Sequence, residues 1–166
     1  RKFKEDILRI FTGRKDLVCL ELGSCKGDTT RVFAECFKKV HSFERSEENI
    51  KHMKEKCFDV DNVEYNQMDV YSSDFTIPNN VDVAFVDAGH STDLVSYDIR
   101  RLLENTSKMI LIFDDYGQED GSIKNAIRKS NLPISRHIGE YNGFVCYNMN
   151  NERISFTGRE GVICNL

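Results

Sequence analysis

The sequence predicts an α/β domain in which helices cover both faces of a mostly parallel sheet. Short apolar segments alternate along the chain with amphipathic segments of helical spacing, an order typical of strands joined by crossover helices. The last two strand-like segments are joined only by the short polar link "NNE", so we expect them to pair antiparallel. A length of 166 residues suits one domain with a substantial core.

The predicted elements alternate in order along the chain. We predict strands at 17–22, 40–44, 62–69, 81–89, 108–117, 143–149 and 153–158. We predict helices at 29–40, 46–57, 91–105 and 120–130. Ser46 is the expected N-cap of the second helix, because its hydroxyl can accept a backbone N–H that the helix start leaves unpaired.

The composition disfavours two kinds of partner. The net charge of −4 argues against a protein that binds nucleic acid mainly by attraction to its phosphates, since such proteins are usually basic. No apolar run approaches the roughly 20 residues that a membrane span needs. We therefore expect neither a nucleic-acid nor a membrane partner.

The cysteines and the first residues predict a cytoplasmic location. None of the six cysteines has CxxC or zinc-like spacing, so we expect free thiols in a reducing compartment. The start, "RKFKEDILRIF", is charged and amphipathic, unlike a signal peptide. We expect residues 1–166 to form a single domain, since no linker or repeat divides them, and the missing initiator methionine indicates a domain trimmed or cut from a longer chain.

Ligands of open α/β sheets bind beyond the carboxyl ends of the strands, so the residues after each strand carry the functional signal. The first strand ends in "ELGSCKG", where glycines allow a tight turn and close approach of a ligand. A dinucleotide fingerprint would need glycines where Cys25 and Asp28 stand, and Asp28 would repel a pyrophosphate. Glu21 before the turn suits a cationic or amine-bearing ligand. A purely structural turn remains open.

Acids also follow the second and third strands. Glu44 stands about 20 residues after Gly23, where a carboxylate can accept both hydroxyls of a ribose. This spacing is shared by nicotinamide enzymes and other adenosine binders, so it does not choose between them. Asp69 can accept the exocyclic amine of an adenine, and Met68 can pack on its ring. Solvated acids with no ligand are the alternative for both carboxylates.

The fourth and fifth strands end in "VDAGH" and "IFDDYG". Asp87, Asp114 and Asp115 would repel one another if left bare, and carboxylates with water suit Mg²⁺ or Mn²⁺. His90 stands beside them as a candidate catalytic base. The alternatives are that Asp114 caps the next segment, that Asp115 faces solvent, and that His90 is structural.

Taken together, the strand ends resemble those of class I S-adenosylmethionine-dependent methyltransferases. "LELGSCKGDTT" is similar to their first motif, E/D-x-G-x-x-x-G, and Glu44 and Asp69 match their acids after the second and third strands. The resemblance implies a Rossmann-like three-layer sandwich with a seven-stranded, mostly parallel sheet and an antiparallel C-terminal strand. It implies S-adenosylmethionine as the cofactor. The donor-binding residues that it implies are Glu21, Gly23, Ser24, Gly27, Thr29, Glu44, Arg45, Met68 and Asp69.

Within that class, "FVDAGHSTDLVSYDIRRLL" and "ILIFDDYG" resemble the methyltransferase-24 type, which includes metal-dependent sugar O-methyltransferases. The resemblance implies that Asp87, Asp114 and Asp115 bind Mg²⁺ or Mn²⁺. It also implies that His90 is the general base, with Asp87 beside it in the catalytic site. Asp98 matches a recurring acid, which we interpret as a helix-face residue paired with Arg101 or the loop.

The acceptor implied by this resemblance is a small molecule or a glycan. We expect no long N-terminal extension or inserted lid, so the loops at 116–121 and 140–143 are the candidates to line the acceptor pocket. An oligomer is possible. An NAD-dependent oxidoreductase of Rossmann type, disfavoured by the missing middle glycine, and a non-catalytic donor-binding domain are the alternatives. A nucleic-acid methyltransferase is disfavoured by the negative charge.

Overall fold

The computed structural model describes residues 2–105, 108–147 and 151–165. The helices are α1 (Lys2–Phe11), α2 (Asp28–Cys36), α3 (Glu47–Lys56), α4 (Thr92–Asn105) and α5 (Ser122–Lys129). The first five strands are β1 (Val18–Leu22), β2 (Lys39–Glu44), β3 (Val63–Gln67), β4 (Val83–Val86) and β5 (Ile110–Phe113). The last four strands are β6 (Ile134–Ile138), β7 (Tyr141–Tyr147), β8 (Arg153–Gly158) and β9 (Gly161–Asn165).

The main sheet has seven strands in the order β3-β2-β1-β4-β5-β9-β6. Strands β1 to β5 run parallel, and β9 runs antiparallel to both of its neighbours. This confirms the predicted mostly parallel, seven-stranded sheet with an antiparallel C-terminal strand. The chain leaves β1 toward β2 on one side and reaches β4 on the other, so the strand order reverses between β1 and β4. Such a reversal opens a crevice at the carboxyl ends of the strands.

The predicted strands at 143–149 and 153–158 pair antiparallel as expected, although residues 148 and 149 lie outside the described residues. They form a separate two-stranded sheet, β7–β8, and do not extend the main one. Their expected places in the main sheet are taken by β6 and β9, which the sequence did not predict. Strand β6 lies at the sheet edge with an exposed polar middle and so lacks an apolar pattern, whereas β9 has buried apolar residues at 162–164 that the prediction did not include.

Helices pack on both faces of the sheet and give the predicted three layers. One apolar cluster joins the sheet to α4 and α5, and a second joins it to α1 and α2. Strand β4 contributes to both clusters: Ala84 and Val86 face the first, and Val83 and Phe85 face the second. A strand buried on both faces has no polar alternation. Within the described ranges, no helix is long and apolar enough to cross a lipid bilayer.

Candidate functional site

A cleft of about 510 Å³ lies at the carboxyl ends of the parallel strands. This volume falls in the range of about 300–1,000 Å³ that is typical of small-molecule sites. The predicted site residues in its wall are Gly23, Glu44, Arg45, Met68, Asp69, Asp87, His90, Asp114 and Asp115. The other four predicted donor residues, Glu21, Ser24, Gly27 and Thr29, lie outside this wall.

The turn after β1 is held in place by its two glycines. Gly23 has φ +84°, and a Cβ there would lie 2.6 Å from the backbone oxygen of Asp87. Gly27 has φ +80°, and a Cβ there would lie 2.6 Å from Cγ of Met53 in α3. Both positions therefore need glycine for conformation and for space. The turn packs directly against the exit of β4, which brings the first and fourth strand ends together.

Glu21 is fully buried under this turn. Its Oε2 accepts hydrogen bonds from the hydroxyls of Thr30 and Ser42, both at 2.7 Å, and its Oε1 has no hydrogen-bond partner among the described residues. Burial raises the pKa of Glu21 to about 7, although the two hydroxyls oppose that rise. The carboxylate thus holds β1, β2 and α2 together. Its contact with a ligand amine stays a prediction.

Glu44 ends β2 and lies in the wall of the cleft. Its Oε2 accepts the backbone N–H of Cys25 at 2.8 Å, and its Oε1 accepts the backbone N–H of Ser46 at 2.8 Å. The carboxylate therefore joins the first turn to the start of α3. Ser46 is the N-cap of α3 as predicted, since its hydroxyl accepts the N–H of Asn49. Each Glu44 oxygen keeps a second lone pair that can accept a ligand hydroxyl.

The loop after β3 forms the next part of the wall. Met68 is half-buried and Asp69 is exposed, and Asp69 Oδ1 accepts the backbone N–H of Tyr71 at 2.9 Å. Tyr71 also lines the cleft. The contact of Met68 and Asp69 with an adenine ring stays a prediction.

Asp98 and Arg101 of α4 hold this loop. Asp98 is fully buried, and it accepts the hydroxyl of Tyr71 at 2.9 Å and Nη2 of Arg101 at 2.5 Å. Arg101 also donates to the backbone oxygen of Val70 and lies 4.6 Å from the ring centroid of Phe75. Burial raises the pKa of Asp98, and Arg101 opposes that rise. The predicted pairing of Asp98 with Arg101 is confirmed, and it fixes one wall of the cleft.

The exits of β4 and β5 bring three of the predicted catalytic and metal residues together. Ligand atoms of Asp87, His90 and Asp115 all lie within 4.8 Å of one another. His90 Nδ1 lies 3.2 Å from Oδ2 of Asp115, and this interaction raises the pKa of His90 above its ordinary value. Desolvation opposes that rise, since it disfavours the charged imidazolium.

Asp114 does not belong to that group of three. It is buried, and its Oδ1 accepts the backbone N–H of Asp115 at 2.9 Å, but it does not cap the next helix, α5, whose N-cap is Gly121. Asp115 has a left-handed φ of 55° and is mostly buried, not turned to solvent. The predicted metal ligands are Asp87, Asp114 and Asp115, whereas the structure brings Asp87, His90 and Asp115 together. The predicted set of ligands stays a prediction.

Sequence reasoning missed part of this site, and two residues illustrate why. Tyr71 lines the cleft, but its position depends on Asp98, which is far away in sequence. Tyr141 donates its hydroxyl to Oδ1 of Asp115 at 2.9 Å. The loop at 140–143, a candidate to line the acceptor pocket, includes Tyr141, but nothing in its local sequence indicates an aspartate partner.

Comparison with known proteins gives a family and a fold. A family model described as a methyltransferase domain matches residues 20–116. No curated protein sequence matches the chain.

Solved structures of methyltransferases share the fold. The precorrin-6y C5,15-methyltransferase of Geobacter metallireducens is 11% identical with a TM-score of 0.69, over 98% of this chain and 88% of that one. The tRNA (m1A58) methyltransferase TrmI of Aquifex aeolicus is 19% identical with a TM-score of 0.66, over 98% and 68%. The protein SMU.1697c of Streptococcus mutans, solved with S-adenosylhomocysteine, is 16% identical with a TM-score of 0.61, over 100% and 98%.

Proposed function

Because this chain belongs to the methyltransferase-domain family, whose model matches residues 20–116, we propose that it methylates a hydroxyl of a sugar, a glycan or another small molecule. Methyl transfer from S-adenosylmethionine follows from the family. Transfer to oxygen is the proposed part, and one observation carries it. Asp87, His90 and Asp115 meet at the open end of the cleft, where a proton acceptor for a hydroxyl is needed.

The residues of the cleft fit this donor. When bound, S-adenosylmethionine supplies a methyl group on a positively charged sulfur. Glu44, Asp69 and Asp87 give the wall a negative character that attracts a cation. Glu44 has acceptor capacity left for ribose hydroxyls after its two backbone hydrogen bonds. The tight contact between Gly23 and the exit of β4 brings this end of the cleft close to Asp87.

His90 accepts the proton of the acceptor hydroxyl in this proposal. Asp115 holds the imidazole through Nδ1, which leaves Nε2 as the proton acceptor of a neutral ring. The same contact stabilises the imidazolium that forms after proton transfer. Most of the rate gain then comes from the alignment of the hydroxyl with the methyl group, which the walls of the cleft provide.

The acids at this end also suit a hard divalent cation. We propose Asp87, Asp114 and Asp115 as the ligands of Mg²⁺ or Mn²⁺, because carboxylates and water are the set that these ions prefer. A bound ion would lower the pKa of an acceptor hydroxyl. His90 cannot use the same nitrogen as a ligand and as a base, so a carboxylate set leaves it available for the proton.

The test is methyl transfer from labelled donor to a panel of sugars, glycans, catechols and a tRNA transcript. We expect transfer to a hydroxyl compound, its loss with EDTA, and its recovery with Mg²⁺ or Mn²⁺. Full activity in EDTA would remove the metal from the proposal. Transfer to tRNA alone would contradict the small-molecule acceptor, and donor binding without transfer to any acceptor would favour the non-catalytic alternative.

The third metal ligand has its own test. Asp114→Asn and His90→Gln are compared for Mn²⁺ affinity by calorimetry. We expect Asp114→Asn to weaken Mn²⁺ binding at least tenfold, on the scale known for altered metal sites, and His90→Gln to leave it nearly unchanged. The reverse result would assign His90 as the ligand and exclude it as the base.

A further inference from the structure

The hairpin β7–β8 is an addition to the main sheet that docks on the loop carrying Asp115. An isolated two-stranded hairpin is only marginally stable in water, so its position depends on what it packs against. Its backbone pairs with the loop after β5: Thr157 N–H donates to Gly117 O and Glu119 N–H donates to Ser155 O, both at 2.9 Å.

The approach of the two segments is close. A Cβ on Gly117 would lie 2.5 Å from the backbone oxygen of Thr157 and 2.9 Å from Cδ2 of Tyr141. The loop after β5 therefore has no space to move independently of the hairpin. Whatever fixes the hairpin also fixes the backbone that carries Asp115.

Tyr141 extends this coupling to a catalytic side chain. Its ring packs inside the hairpin, with its centroid 5.0 Å from that of Phe156 and 6.2 Å from that of Phe144. Its hydroxyl donates to Oδ1 of Asp115 at 2.9 Å, while His90 Nδ1 lies 3.2 Å from Oδ2 of the same carboxylate. The two oxygens of Asp115 thus face two different partners.

We propose that Tyr141 is a positioning residue that orients the Asp115 carboxylate toward His90. The inference rests on the proposed function, in which Asp115 holds the imidazole of the base. With Oδ1 bound to the Tyr141 hydroxyl, Oδ2 remains directed at Nδ1, and the ring keeps its proton on that nitrogen. A residue that hydrogen-bonds the carboxylate partner of a catalytic histidine helps to fix the tautomer and the orientation of that histidine.

The substitution Tyr141→Phe removes only the hydroxyl, because the phenylalanine ring keeps the packing against Phe144 and Phe156. Tyr147→Phe is the matched control, since it is the same chemical change on the same strand at a largely exposed ring. Both variants are expected to melt at the wild-type temperature. A lower melting temperature of Tyr141→Phe would show that the hydroxyl also stabilises the fold. Thermal melting therefore separates a stability effect from positioning.

The decisive readout is the imidazole nitrogen spectrum of the whole chain in EDTA at alkaline pH, which needs no acceptor and no turnover. In the wild type we expect His90 to be in the tautomer with its proton on Nδ1. In Tyr141→Phe we expect its two nitrogen shifts to move toward those of a tautomer mixture, with His41, His52 and His137 unchanged. An unchanged His90 spectrum in a folded Tyr141→Phe variant would overturn the proposal.

Kinetics give a second readout once an acceptor is known. Tyr141→Phe should lower kcat by about tenfold with the KM for the donor unchanged, whereas Tyr147→Phe should leave both unchanged. An unchanged kcat in Tyr141→Phe would contradict the positioning role. Absence of methyl transfer in the wild type would instead contradict the proposed function, while the His90 spectrum would still report on Tyr141.

Discussion

The acids at the two ends of the cleft have different hydrogen-bond partners. At the donor end, beyond β1 to β3, carboxylates accept hydrogen bonds from the fold itself: Glu21 from Thr30 and Ser42, and Glu44 from two backbone N–H groups. At the catalytic end, beyond β4 and β5, Asp87 and Asp115 converge with His90. The carboxylates of the proposed donor end therefore join separate strands and helices of the fold. At the proposed catalytic end, the carboxylate of Asp115 instead joins His90 to Tyr141 of the hairpin.

This difference predicts that substitutions at the catalytic end reduce activity, whereas substitutions at the donor end reduce stability or affinity. Repulsion between the clustered acids partly offsets the hydrogen bonds that Asp114 and Asp115 accept, so we expect their removal to destabilise the chain less than removal of Glu21 or Glu44.

The largest expected effect is on turnover, at His90. Replacement by glutamine removes the proton acceptor and should lower kcat about 10²- to 10⁴-fold, with a melting temperature unchanged because the side chain is half exposed. Steady-state kinetics and thermal melting check both parts. His52→Gln is the matched control, because His52 is also about half exposed and its acidic partners in the described part of the chain, Glu48 and Glu55, lie on its own helix.

The pH dependence of turnover gives a further check on His90. Only the neutral imidazole can accept a proton, so kcat/KM should fall as the pH drops through the pKa of His90. Since Asp115 raises that pKa, the midpoint should lie above the ordinary value of about 6.5. Equal turnover of wild type and His90→Gln across this range would exclude the base.

The next effect is on stability at Gly23, where the two ends meet. Gly23→Ala places a methyl group 2.6 Å from the backbone oxygen of Asp87, and backbone cannot move aside cheaply. Gly13→Ala is the control, because Gly13 has the same φ of +84° and open space around it. We expect Gly23→Ala to lose about 1–3 kcal/mol more than the control in chemical denaturation. Equal losses would mean that the contact is unimportant.

Glu21 should have a comparable effect on stability, and the direction of its pH dependence follows from its raised pKa. Burial raises its pKa from 4.5 to about 7 in the folded chain. Between these values the folded state holds a proton that the unfolded state has lost. The stability contributed by protonated Glu21 is therefore present below pH 4.5 and is lost as the pH rises through 7. Glu21→Gln should remove a dependence on the order of 3 kcal/mol.

Denaturant unfolding across this pH range measures that slope directly. The exposed Glu104 supplies the control for the change in net charge, through Glu104→Gln. A Glu21→Gln variant with the slope of the wild type would show that Glu21 does not titrate in this window.

The sequence predicted the parts of the fold that depend on local patterns. Apolar runs located β1, β4 and β5, and Ser46, a residue type that caps helices, marked the start of α3, where its hydroxyl accepts the N–H of Asn49. The contents of the main sheet after β5 could not be predicted, because β6 lacks an apolar pattern and because the pairing of β9 with β5 and β6 depends on long-range contacts. The hairpin carried the stronger strand pattern but forms its own sheet.

The site shows the same limit. Strand-end positions identified Asp87, His90 and Asp115, because parallel strands end at one edge of a sheet. The direction of each side chain could not be read in the same way. Glu21 turns into the core toward Thr30 and Ser42, and Tyr141 reaches Asp115 only because a hairpin docks beside it.

The smallest expected effect, on donor affinity, tests the division of the cleft most directly. S-adenosylhomocysteine is titrated by calorimetry into the wild type, Glu44→Gln and His90→Gln. Glu44→Gln loses charge and one acceptor oxygen and should bind about tenfold more weakly, in keeping with one lost charge-assisted hydrogen bond. His90→Gln should bind with the affinity of the wild type. Equal weakening in both variants, or weakening in His90→Gln alone, would contradict a donor end separate from the catalytic end.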